Sequence, residues 1–310
     1  MPGALAILLQ AGSTLVLDAS VGQRPCQSTP DEVIVCARSD RPTTRLSMTI
    51  AGHIGTVLVE PSGPRYLMCN PDFIARSGIT GDSPVLIASV GSVDVVGGRA
   101  TLPVTILGQS SELGVRWSSY RTVEGADCIV GPRSLGYRSV IFQLGRDRPD
   151  ALDTVFPFDR YDRTNMVYAT LPVGGAKIAM RIELAYPESV VTAPAARVIA
   201  PVLGGSMVGP PRSEMIINGV ARPVRTLALR MPLAIGPVRL ASLSARIVDY
   251  GQAQNLKTLT SDDGEADAVV VKAKTDPPAA QRLLRVGRDA LANCVSITVD
   301  LRARKLTLRC

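Results

Sequence analysis

Only one histidine, His53, occurs in the 310 residues. That count excludes multi-histidine metal sites and nearly every histidine-based relay, since both draw on imidazole as ligand or base. Aromatic residues make up 4% of the chain, with one Trp and four Phe, so a core has to be assembled from Val, Leu, Ile and Ala. Lysine is scarce as well: of the 34 basic residues only Lys177, Lys257, Lys272, Lys274 and Lys305 are Lys. The arginines are scattered, with no cluster denser than Arg302-Ala303-Arg304-Lys305. A net charge of +7 therefore lacks the basic stripe interleaved with aromatics that nucleic-acid binding needs, and no nucleic-acid partner is expected. No apolar run is long enough for a stable membrane span. Phosphate loops, dinucleotide fingerprints and zinc spacings are missing too, so no cofactor and no metal are expected. Gly204-Gly205-Ser206-Met207-Val208-Gly209 is one residue too long for a serine nucleophile elbow.

What is present describes a folded, turn-rich chain. Hydrophobic residues at 46% against 20% charged exclude disorder over most of the length. Gly 27 and Pro 23 suit many short strands joined by turns, and the length suits two domains. Residues 1–17 carry Ala-Leu-Ala-Ile-Leu-Leu and Ser-Thr-Leu-Val-Leu, the apolar part of a signal peptide without its basic leader. Of the six cysteines, Cys26 and Cys36 bracket a segment that can close as a hairpin, as do Cys294 and Cys310. Cys69 and Cys128 remain, and six cysteines allow fifteen pairings in principle. Disulfides point to an oxidising compartment, so a periplasmic or secreted location is expected.

Along the chain, residues 18–50 read as an N-terminal extension around the short apolar run Val33 to Val35. Residues 51–148 and 165–310 each carry short β runs, separated by a Pro- and Asp-rich linker at 149–164. Helices are predicted at Pro71 to Ser77, with Asp72 in the first turn and Gly78 as a stop, near Ala193 to Ala200, and at Arg288 to Ala292. The fold class is all-β with a few short helices.

The two halves echo each other. Ile129-Val130-Gly131-Pro132-Arg133-Ser134-Leu135 and Arg285-Val286-Gly287-Arg288-Asp289-Ala290-Leu291 each place Gly after an apolar residue and Leu four later, with a β run following. Glycine there suits close backbone approach, giving Gly131 and Gly287 structural roles. With Cys128-Ile129-Val130-Gly131, Leu284-Arg285-Val286-Gly287, the loop Ile182-Glu183-Leu184-Ala185-Tyr186-Pro187-Glu188-Ser189-Val190-Val191 and the hairpin from Val93 to Leu107, the chain resembles the retropepsin-like and pepsin-like aspartic protease family over about residues 50–310. The resemblance implies a two-lobed double β-barrel. Arg285 departs from it by interrupting the second apolar pair.

The family's chemistry needs one Asp per lobe, each followed by Thr/Ser-Gly, sharing a proton over a trapped water. In the first lobe the resemblance places that position on Cys69 or Asn70; in the second it falls on Glu183. Neither is followed by Thr/Ser-Gly. The expectation is therefore a catalytically inactive relative whose cleft binds an extended peptide or protein partner. Asp72 with Glu183 is the one pair from which an active alternative can be built. The resemblance also sets Cys69 beside Cys128, able to form a disulfide; a thiol nucleophile with His53 as base is the alternative.

Overall fold

The computed structural model describes residues 26–29, 31–36, 44–90, 93–161, 166–217, 219–247 and 282–310. The expected signal at 1–17 lies outside these residues, and so do the side chains of Cys26 and Cys36. Two short strands, β1 (Cys26–Ser28) and β2 (Glu32–Cys36), open the described chain. The next seven build one lobe: β3 (Arg45–Ile50), β4 (His53–Val59), β5 (Leu67–Cys69), β6 (Asp82–Val90), β7 (Val93–Ile106), β8 (Gln109–Ser118) and β9 (Cys128–Val130). Their order is β3-β4-β9-β5-β8-β7-β6, and a pairing of β3 with β7 closes six of them into a barrel. β6 is left as the outer arm of a β6–β7 hairpin.

After β10 (Ser139–Gln143) and β11 (Asp153–Tyr161) the chain repeats itself. The second set is β12 (Met166–Val173), β13 (Ala176–Ile182), β14 (Val190–Val191), β15 (Gly205–Ile217), β16 (Val220–Ile235), β17 (Val238–Arg246) and β18 (Leu283–Val286). It runs β12-β13-β18-β14-β17-β16-β15, the first order position for position. Strand directions repeat too. β13 is parallel to β18 as β4 is to β9, and β14 is parallel to β17 as β5 is to β8. Helix α1 (Pro71–Arg76) follows β5 and α2 (Ala193–Leu203) follows β14. A 3-10 turn (Pro132–Ser134) follows β9, where α3 (Arg288–Leu291) follows β18. The fold is mainly β and of the two-lobed kind that the motifs implied.

The last strands, β19 (Ser296–Asp300) and β20 (Lys305–Arg309), complete a bridge ordered β1-β2-β10-β19-β20-β11 that continues into β12. Two stretches therefore differ from their sequence reading. Part of the supposed extension is built in, because β3 closes the first barrel and β2 lies parallel to β10. Part of the supposed linker is β11, paired with both β20 and β12. Phe156 and Phe158 are buried and Val155 half exposed; this alternation is a strand signal that Pro157 and the flanking aspartates obscured. Helix α2 also runs past Pro201 to Leu203 before Gly204, at φ 64, ends it in the left-handed conformation.

One large apolar cluster of mostly aliphatic residues runs through both lobes, with Phe73, Phe142, Phe156 and Phe158 its largest buried members. Among the described residues two disulfides staple it. Cys69 and Cys128 face each other across β5 and β9, and Cys294 joins Cys310 across the ends of the β19–β20 hairpin.

Candidate functional site at the lobe junction

In β4, Val57, Leu58 and Val59 are all buried, the pattern of a strand covered on both faces. Parallel pairing of Val59 with Val130 continues one residue further, where Glu60 N–H donates to the Val130 carbonyl at 2.9 Å. The second lobe repeats this. Ile182 pairs with Val286, and Glu183 N–H donates to the Val286 carbonyl at 3.1 Å. Glu60 and Glu183 are thus equivalent residues of the two lobes.

The turns they open are interlocked. Ser62 N–H donates to the Ile182 carbonyl at 3.1 Å, and Ile182 N–H returns to Ser62 Oγ at 2.9 Å. The Glu60 carboxylate crosses the junction, accepting from Leu184 N–H at Oε2 and from Ala185 N–H at Oε1, each at 2.5 Å. Gly131 N–H donates to the Pro64 carbonyl at 2.7 Å, and a Cβ on Gly131 would collide with the Gly63 carbonyl. A Cβ on Gly287 would meet the Glu188 backbone, while its N–H donates to Ser189 Oγ at 3.0 Å. Close approach, not an unusual φ, is what requires glycine at 131 and 287.

The first-lobe counterpart of Glu183 is therefore Glu60, not Cys69 or Asn70. Cys69 ends β5, the counterpart of β14, and its sulfur is bonded to Cys128, so it is no free thiol for His53 to activate. Asn70 is buried with its amide fully used. It donates to the Val123 and Ala126 carbonyls, both at 2.8 Å, and accepts from Thr122 and Val123 N–H. Asp72 sits in the first turn of α1 and pairs with Arg121 at 3.0 Å, both half exposed. The missed signal was Val57-Leu58-Val59-Glu60, an apolar triplet running into an acid with Ser62-Gly63 beyond it.

Electrostatically the junction is a buried ionic network. Burial, and then the neighbouring Glu183 charge, push the Glu60 carboxyl well above the usual range, against the opposing pull of Leu184 and Ala185 N–H and of Arg288. Glu183 lies 3.0 Å from Arg181 and 4.0 Å from Arg285. Burial pushes the Arg285 guanidinium down and the Tyr186 phenol up. Burial would lower Arg181 as well, but Glu183, Tyr168 and Tyr186 outweigh it and hold the cation more firmly. A shared-proton dyad needs free carboxyl lone pairs facing one water. Here both Glu60 oxygens accept N–H groups of the opposite lobe, and Glu183 lies between two guanidiniums with its Oε2 accepting no hydrogen bond.

Two hairpins meet beside this network. Val95 of the first-lobe hairpin and Ile216, Val220 and Val224 of the β15–β16 hairpin form one apolar cluster with Val190.

No family model matches the chain, and no curated protein does. Among solved structures, part of the chain is similar to the retroviral protease-like domain of Ddi1 from Leishmania major. That match is 22% identical, covers 29% of this chain and 73% of that one, and has a TM-score of 0.23.

Proposed function

We propose that this is an exported, catalytically silent protein of aspartic-protease-like architecture that holds an extended polypeptide between its lobes. The observation that carries the silence is the state of the two junction acids. Both Glu60 oxygens accept backbone N–H groups of the opposite lobe, and Glu183 is paired with Arg181 and Arg285. Pro61 separates Glu60 from Ser62-Gly63, and Glu183 is followed by Leu184-Ala185, so neither acid has the hydroxyl-glycine pair directly after it. The binding reading is supported by the hairpins that border the junction, since extended chains dock through backbone hydrogen bonds to such strands. Export is supported by the two disulfides.

The test is a cleavage assay on an unfolded protein substrate at acidic and neutral pH, using wild type, Glu60→Gln and Glu183→Gln. No cleavage by any form is expected. Cleavage by wild type that both substitutions abolish would establish a divergent peptidase instead. Its acids would then be Glu60 and Glu183, with Asp72→Asn as the control for the pair considered from sequence.

A further inference from the structure

The second-lobe signature carries an arginine where its counterpart in the first lobe has Ile129, and this residue is 2% exposed. Burying a guanidinium costs several kcal/mol unless it is paired and hydrogen-bonded, so its contacts identify its task. Arg285 Nη1 donates to two successive carbonyls of the β15 arm, Met215 at 3.0 Å and Ile216 at 2.9 Å. In a regular strand successive carbonyls point to opposite sides. The register of β15 against β16 shifts between Met215 and Ile217, and this irregularity lets one cation reach both. The same guanidinium lies 3.4 Å from Glu214, also on that arm, and 3.9 Å from the Tyr186 ring centre. Tyr186 belongs to the turn that Glu183 opens.

The hairpin so held reaches across to the other lobe. A Cβ on Gly219, at its tip, would lie 2.7 Å from Tyr120 Cβ, and Ile216 and Val220 pack with Val95. We propose that Arg285 is a latch, fastening the β15–β16 hairpin down over the junction so that the protein closes its own cleft. Main-chain carbonyls of the hairpin take the cation that carbonyls of an incoming extended polypeptide would otherwise reach, so a ligand enters only when the latch releases. The ligand half of this statement rests on the binding reading above; the latch does not.

The experiment measures hydrogen exchange by mass spectrometry over the β15–β16 hairpin, with β19–β20 as an internal control, in wild type, Arg285→Leu and Arg285→Lys. Lysine keeps the charge beside Glu183 but cannot serve two carbonyls and a ring with one planar group, which guards against a leucine variant that fails to fold. Exchange in the hairpin is expected to quicken by about tenfold or more, the equivalent of roughly 1.4 kcal/mol, with the control strands unchanged. Binding of fluorescein-labelled casein, an unfolded chain, is then measured on the same proteins and is expected to tighten with the latch broken. Faster hairpin exchange without casein binding by any form upholds the latch and refutes polypeptide binding. Unchanged hairpin exchange in a folded variant, or exchange that rises equally in the control strands, overturns the latch whatever casein does.

Discussion

Substituting Glu60 by alanine removes a side chain that bonds the opposite lobe through both of its oxygens. Leu184 and Ala185 N–H lose their acceptors in a junction where Glu60 is fully buried. Leaving a buried donor without its acceptor costs about 1–3 kcal/mol, so two set a ceiling of about 6 kcal/mol. Burial of the carboxyl group, the main cause of its raised pKa, offsets part of that. The expected loss is about 2–4 kcal/mol. Its pH dependence has a definite sign. A carboxyl whose folded pKa lies above its unfolded value contributes stability that is complete below the unfolded pKa and is lost as pH rises through the folded one. Wild type should therefore exceed Glu60→Ala most in acid, with the gap narrowing toward neutral pH. Urea unfolding followed by circular dichroism at several pH values measures both quantities. A loss below about 1 kcal/mol throughout, or a gap that widens as pH rises, would refute the clasp.

The disulfides offer a graded comparison. Removing Cys69–Cys128, which spans 59 residues, should cost about 4 kcal/mol by loop-closure entropy, and removing Cys294–Cys310, which spans 16, about 3 kcal/mol; urea unfolding of Cys→Ala pairs checks the order. Asn70→Ala strands the backbone groups that its buried amide satisfies and should lower stability by about 3–5 kcal/mol in the same assay. Asp72→Asn loses only a half-exposed pair with Arg121 and should change stability by less than about 1 kcal/mol.

Composition, short β runs and the repeated glycine signatures sufficed for an all-β chain folded twice on one plan, because strand period, turn residues and close-approach glycines are local properties. The bonds of Cys69 with Cys128 and of Cys294 with Cys310 followed from the implied architecture and from a hairpin-like spacing. The strand at Asp153–Tyr161 was hidden because Pro157 and its aspartates outweighed a short alternation. The acid of the first lobe was hidden for a different reason. An apolar triplet before Glu60 reads equally as any buried strand, and only its pairing with β9 sets it opposite Glu183. The partners that give the two acids and Arg285 their roles lie far away in sequence. Glu60 bonds backbone 124 and 125 residues on, and Arg285 bonds carbonyls 70 and 69 residues back. A side chain's charge is written in the sequence, but whether it attacks, clasps or latches depends on what folding brings within hydrogen-bond reach, and for these three residues only the tertiary structure decided it.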